Sequence, residues 1–75
     1  MYGADWCSDC IRAKRVLERT GLDFEYIEVD VIAGAADEAQ TLANGRKNIP
    51  VIVLPDGKIL VEPTDPELEQ ALPAS

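Results

Sequence analysis

The chain reads as a small α/β domain in which about three helices pack on a four-stranded mixed sheet. Three observations carry that reading. Apolar residues recur at helical spacing in one segment, short β-rich runs occupy others, and glycine and proline signals separate them. An apolar fraction of 47% against 28% charged is the balance of a globular protein. The 75 residues make one domain, residues 1–75, which would bury only about 60% of the surface its unfolded chain exposes.

The first helix is expected from Ser8 or Asp9 to Arg19, with Ile11, Ala13, Val16 and Leu17 as its apolar stripe. Thr20-Gly21 stops it, since glycine readily takes the left-handed conformation that closes a helix. Phe24 to Val29, rich in aromatic and β-branched residues, follows as a strand. Helix formers Ala36, Glu38, Ala39, Gln40 and Leu42 then support a helix over about Ala35 to Ala43, ended by Asn44-Gly45. Val51-Ile52-Val53-Leu54 is an unbroken apolar run, as expected of a strand buried on both faces. The turn Pro55-Asp56-Gly57-Lys58 returns Ile59-Leu60-Val61 as its antiparallel partner. Thr64-Asp65-Pro66-Glu67 opens a last helix with a capping side chain and an early proline, and Pro73 ends it. A parallel ladder for Phe24 to Val29 requires a strand ahead of the cysteines, where only Met1-Tyr2-Gly3-Ala4 stand. Either that strand is very short or the natural chain starts upstream.

Composition narrows the function classes. No apolar run approaches the roughly 18 residues of a membrane span and the start lacks a signal pattern, so a cytoplasmic monomer is expected. Seven basic against fourteen acidic residues give a net charge of −7, which repels nucleic acid and anionic lipid and removes both as expected partners. The basic residues cluster as Arg12, Lys14, Arg15 and Arg19 after the cysteines and as Arg46 and Lys47 before Asn48-Ile49-Pro50. Brought together, they would make a small positive zone; otherwise they are solvated surface charges.

Cys7 and Cys10 are the only cysteines, two residues apart at the start of the first helix. A disulfide stabilises mainly by closing a long loop in the unfolded chain, and this loop is too short to restrict anything. Residues three apart in a helical turn lie within disulfide reach, so the bond suits electron transfer. Cys7 is the expected nucleophile, because free N–H groups and the helix dipole favour a thiolate at a helix N-terminus. The Asp9 carboxylate opposes that effect, so moderate activation is expected. Cys10, or a second small thiol in its place, would then resolve the mixed disulfide. Two cysteines are half of a tetrahedral zinc site, and the chain has no histidine or second pair to complete one. Trp6 stands ready to shield the pair or simply to fill the rim; Tyr2, Phe24 and Tyr26 read as packing residues, and Thr64 and Asp65 as a helix cap.

A Cys-x-x-Cys motif opening a helix in a short β/α pattern resembles the thioredoxin superfamily. Tyr2-Gly3-Ala4-Asp5-Trp6-Cys7-Ser8-Asp9-Cys10, Ala43-Asn44-Gly45-Arg46-Lys47-Asn48-Ile49-Pro50-Val51 and Pro55-Asp56-Gly57-Lys58 look like its glutaredoxin branch. Within that branch the Trp-Cys pair, Asn44-Gly45-Arg46-Lys47 and Val61-Glu62-Pro63-Thr64-Asp65 most resemble mycoredoxins. The resemblance implies a thioredoxin-like (glutaredoxin) fold with a short or truncated first strand, a cis Ile49-Pro50 peptide against the cysteines, and a small thiol–disulfide oxidoreductase. Its redox group would be the Cys7–Cys10 disulfide, with no bound cofactor. Trp6, Ser8, Asp9, Lys47, Ile49, Pro50, Thr64 and Asp65 would contact the substrate. Ser8-Asp9 stands where typical glutaredoxins have Pro-Tyr, and their Gly-Gly pair before the last helix is missing. That moves the implied electron donor from glutathione toward mycothiol, with disulfide-bearing proteins as clients. The alternatives are a redoxin reduced by a thioredoxin-type reductase and an iron–sulfur cluster shared between two glutaredoxin-like chains.

Overall fold

The computed structural model describes residues 1–72. Its elements are β1 (Tyr2–Gly3), α1 (Ser8–Thr20), β2 (Ile27–Glu28), α2 (Ala35–Leu42), β3 (Val51–Val53), β4 (Ile59–Val61) and α3 (Asp65–Ala71). The four strands form one mixed sheet in the order β2-β1-β3-β4. β1 runs parallel to β2, with Tyr2 opposite Ile27 and Gly3 opposite Glu28, and antiparallel to β3, with Tyr2 opposite Val51. The opening strand spans Tyr2–Gly3 in this chain. Its length also explains why β2 covers two residues and not the whole of Phe24 to Val29: β1 has only two residues to pair, and the ladder ends with Ile27 N–H on Met1 O at 2.8 Å and Val29 N–H on Gly3 O at 2.9 Å.

Side chains alternate across this sheet and divide the core in two. Met1, Ile52 and Leu54 pack with Cys10, Ala13, Val16 and Leu17 of α1 and Leu68 of α3, while Tyr2 and Val51 pack with Ala39 of α2 and Ala43. Leu68 is fully buried, and burying such a side chain contributes about 1.5–3 kcal/mol. The α2 cluster is the smaller, because α2 has two turns and offers mainly alanines. Val53 shows the consequence: it lies on the α2 face beyond that cluster and is 44% exposed, so β3 is not buried on both faces along its whole length.

The punctuation follows local chemistry. Gly21 closes α1 at φ 73, donating its N–H to Glu18 O at 3.2 Å. Ala43 and then Asn44 and Gly45, both with positive φ, end α2. Thr64 caps α3 through a capping box with Glu67; Pro73 lies outside the described residues. The Ile49–Pro50 peptide is cis. Among the described residues no helix is long and apolar enough to cross a membrane.

Candidate active site

Cys7 is the N-cap residue of α1, placed there by a turn in which its N–H donates to Ala4 O at 3.1 Å. The first N–H groups of a helix have no partner within it. One of them, the Cys10 N–H, donates to Cys7 Sγ at 3.2 Å. Cys7 is half-buried and Cys10 fully buried directly beneath it, facing the α1 core. Burial pushes the Cys10 thiol up to about 12; its hydrogen bond to Cys7 adds to the rise, and an N–H from Ala4 opposes it. Cys10 is therefore a protonated thiol near neutral pH.

The cis-proline loop closes the site from above. Cys7 Sγ lies 4.0 Å from the carbonyl oxygen of Ile49, and Pro50 is fully buried behind it. This loop is tied to the segment before α3: Glu62 N–H donates to Pro50 O at 2.9 Å, and Asn48 Nδ2 donates to the Glu62 carboxylate.

Two different flanks meet at Cys7. On the α1/α3 side, the Arg12 guanidinium joins Asp9 at 3.0 Å and Asp65 at 2.9 Å. Thr64 is engaged there too, its hydroxyl accepting from Glu67 N–H at 3.3 Å and its own N–H donating to Glu67 Oε1 at 2.8 Å. On the α2 side an open cleft of about 370 Å³ runs between Trp6 and Ile49, lined also by Asp30, Asp37, Arg46 and Lys47. Trp6 is 72% exposed, and its Nε1 donates to the Asp30 carboxylate. Ser8 is exposed on the first turn of α1.

The two basic groups do not merge into one positive zone. Arg12 is bound by two carboxylates, Arg19 by Glu69 at 3.1 Å, and Lys14 sits over the Tyr26 ring, while Arg46 and Lys47 line the cleft on the other face. Arg12 as a bridge from the motif to α3 is a residue that sequence reasoning missed; its spacing of three from Asp9 was the available signal. The Asn48–Glu62 tie, fourteen residues apart, has no such local signal. Among the described residues no group of three or more His, Cys, Asp or Glu is placed to hold a metal ion.

The Glutaredoxin family model matches residues 1–60, four fifths of the chain. The chain belongs to the glutaredoxin family. It is 36% identical over 56 residues to the glutaredoxin-like protein NrdH of Escherichia coli, covering 75% of this chain and 67% of that protein. A Mycobacterium tuberculosis protein that carries a glutaredoxin name is 24% identical over 72 residues, covering 96% of this chain and 86% of that protein. The four-stranded mixed sheet with three helices is accordingly the thioredoxin-like fold of glutaredoxins. At the level of the family, its chemistry is thiol–disulfide oxidoreduction.

Proposed function

We propose that this glutaredoxin-family protein is a monomeric, cytoplasmic dithiol oxidoreductase that reduces protein disulfides, or mixed disulfides with a small thiol, through Cys7 and Cys10. The observation that carries the reading is the Cys10 N–H donating to Cys7 Sγ at 3.2 Å over a fully buried Cys10. Cys7 is the sulfur a substrate can reach, and it has a donor that stabilises negative charge. Its thiolate attacks the substrate disulfide and forms a mixed disulfide. The charge on Cys7 is then gone, and with it one of the causes that keep Cys10 protonated. Cys10 attacks Cys7 Sγ, closes the disulfide and releases the reduced product.

Substrate sits in the cleft on the α2 side, held by Trp6 and Lys47 and aligned by the Ile49 carbonyl and Pro50 beside Cys7. Ser8 and Asp9 form the rim next to the sulfur. Thr64 and Asp65 contact the small thiol only in competition with their bonds to Glu67 and Arg12. The electron donor in this reading is mycothiol in preference to glutathione, as the Trp6-Cys7 pair and Val61-Glu62-Pro63-Thr64-Asp65 suggest. The likeness to proteins named NrdH, together with the engagement of Thr64 inside its cap, favours a second reading in which a thioredoxin-type reductase supplies the electrons. A coupled NADPH assay offering the oxidised protein each donor in turn decides between them. Turnover with mycothiol supports the first, turnover with the reductase alone the second, and no turnover with any donor overturns both.

A further inference from the structure

Tyr26 shares the face of the sheet that carries Cys10. It stands one residue before β2, and strand alternation turns it, with Met1 and Gly3, toward α1, where it packs on the cluster containing Cys10. Gly3 sits between them. A Cβ built on Gly3 would lie 3.2 Å from Cys10 Cβ, 3.2 Å from Cys10 Sγ and 3.2 Å from the Tyr26 hydroxyl. The sulfur and the phenol therefore both border one point of the backbone, in a notch that exists because residue 3 has no side chain. Lys14, one helical turn after Cys10, holds the ring from above with its Nζ 4.5 Å from the centroid. A phenol both donates and accepts hydrogen bonds.

We propose that Tyr26 is a positioning residue for the resolving cysteine, its hydroxyl donating to Cys10 Sγ in the Gly3 notch as that sulfur loses its proton. The inference rests on the dithiol reading above. The step starts from the mixed disulfide Cys7–S–S–R. Cys10 gives its proton to solvent water past the phenol, and its sulfur attacks Cys7 Sγ. The Cys7–Cys10 bond forms, the bond from Cys7 to the leaving sulfur breaks, and RS⁻ departs with the electron pair and takes a proton from solvent. The two cysteines are oxidised by two electrons, and R is reduced by the same two.

The electrostatics agree with that role. Burial pushes the Tyr26 hydroxyl up to about 12, and Glu28, Asp5, Cys10 and Cys7 add to the rise. Burial, then Cys7 and Asp9, push Cys10 to about 12 as well, opposed by the Ala4 N–H. Tyr26 thus keeps its proton near neutral pH and remains a donor throughout. The groups facing the pair are Lys14, Cys7 and Asp9 of α1 or its cap, Asp5 of the preceding turn and Glu28 of β2.

Stopped-flow mixing of the reduced protein with an aryl disulfide tests the idea, because Cys7 attack releases one coloured thiolate and Cys10 resolution a second. Tyr26→Phe should slow the second phase about tenfold, the scale of one hydrogen bond to a charged group, and raise its pH midpoint, with the first phase within about twofold. A second phase unchanged in rate and pH midpoint overturns the inference alone, as does equal slowing of both phases, which marks general loosening. A wild-type protein that releases no second thiolate overturns both this inference and the dithiol reading beneath it. Should the phenylalanine variant fail to fold, 3-fluorotyrosine at position 26 keeps the ring and strengthens the donor. It should quicken the second phase only, and an unaltered second phase overturns the inference.

Discussion

On the α1/α3 side of Cys7 the polar groups are bonded to one another, whereas on the α2 side a cleft of about 370 Å³ stands open between Trp6 and Ile49. The difference follows from the helices that build each flank. α3 starts with a capping box that occupies Thr64 and Glu67, and its Asp65 is matched by an arginine from α1. α2 is short and alanine-rich, so it leaves space beside the sheet that none of the described residues fills. One flank thus holds the fold together near the sulfur, and the other is the one where the proposed function seats the substrate. A family resemblance alone assigns Lys47, Thr64 and Asp65 to one ligand; the bonding pattern separates the first from the other two.

The sharpest way to break the comparison is at the sulfurs between the flanks. Cys7→Ser should reduce turnover on any disulfide substrate to background, because the other cysteine, Cys10, is buried. Cys10→Ser should keep the first thiolate burst and trap the mixed disulfide, which mass spectrometry of the unquenched protein would detect. Persistent turnover by Cys10→Ser with a small thiol would mean that the buried sulfur is dispensable.

Next in size come the flanks themselves. Trp6→Ala and Lys47→Ala should each raise KM for a mixed disulfide about three- to tenfold with little change in kcat, the scale of a rim contact. Arg12→Ala should leave KM within about twofold and slow Cys7 attack about two- to threefold at low salt. Its removal frees the Asp9 carboxylate to oppose a thiolate, and about 1 M salt should restore the rate by screening. An equal KM effect on both flanks would show that the open and closed distinction does not govern binding.

How much of this was legible beforehand depends on distance along the chain. The placement of Cys7 and Cys10 at a helix start follows from a spacing of three, and the α3 cap from four consecutive residues; both are local, and the order of elements was readable for the same reason. The two-residue length of β2 was not, because it is set by how many residues β1 can pair. Nor was the exposure of Val53, which depends on where α2 stops covering the sheet. Tyr26 reads from sequence as packing. Its place beside Cys10 needs the parallel register of β1 with β2 and the missing side chain of Gly3, neither of which a local pattern carries.

The smallest expected effect lies wholly on the closed flank and concerns stability alone. Thr64→Ala should cost about 1 kcal/mol, the usual loss of a threonine N-cap, measurable by denaturant titration. Its partner Glu67 is held below the ordinary carboxylate range by the Thr64 backbone N–H and hydroxyl. A carboxyl whose folded pKa is lowered stabilises the protein above its unfolded pKa, and that contribution disappears as pH falls through the folded value. Wild-type protein should therefore exceed Glu67→Gln in Tm near pH 7, with the gap closing as pH falls below the ordinary glutamate range. Because the group is fully exposed, the gap should be small and shrink further in salt. A gap independent of pH would mean that Glu67 acts in the cap by its shape as an acceptor and not by its charge.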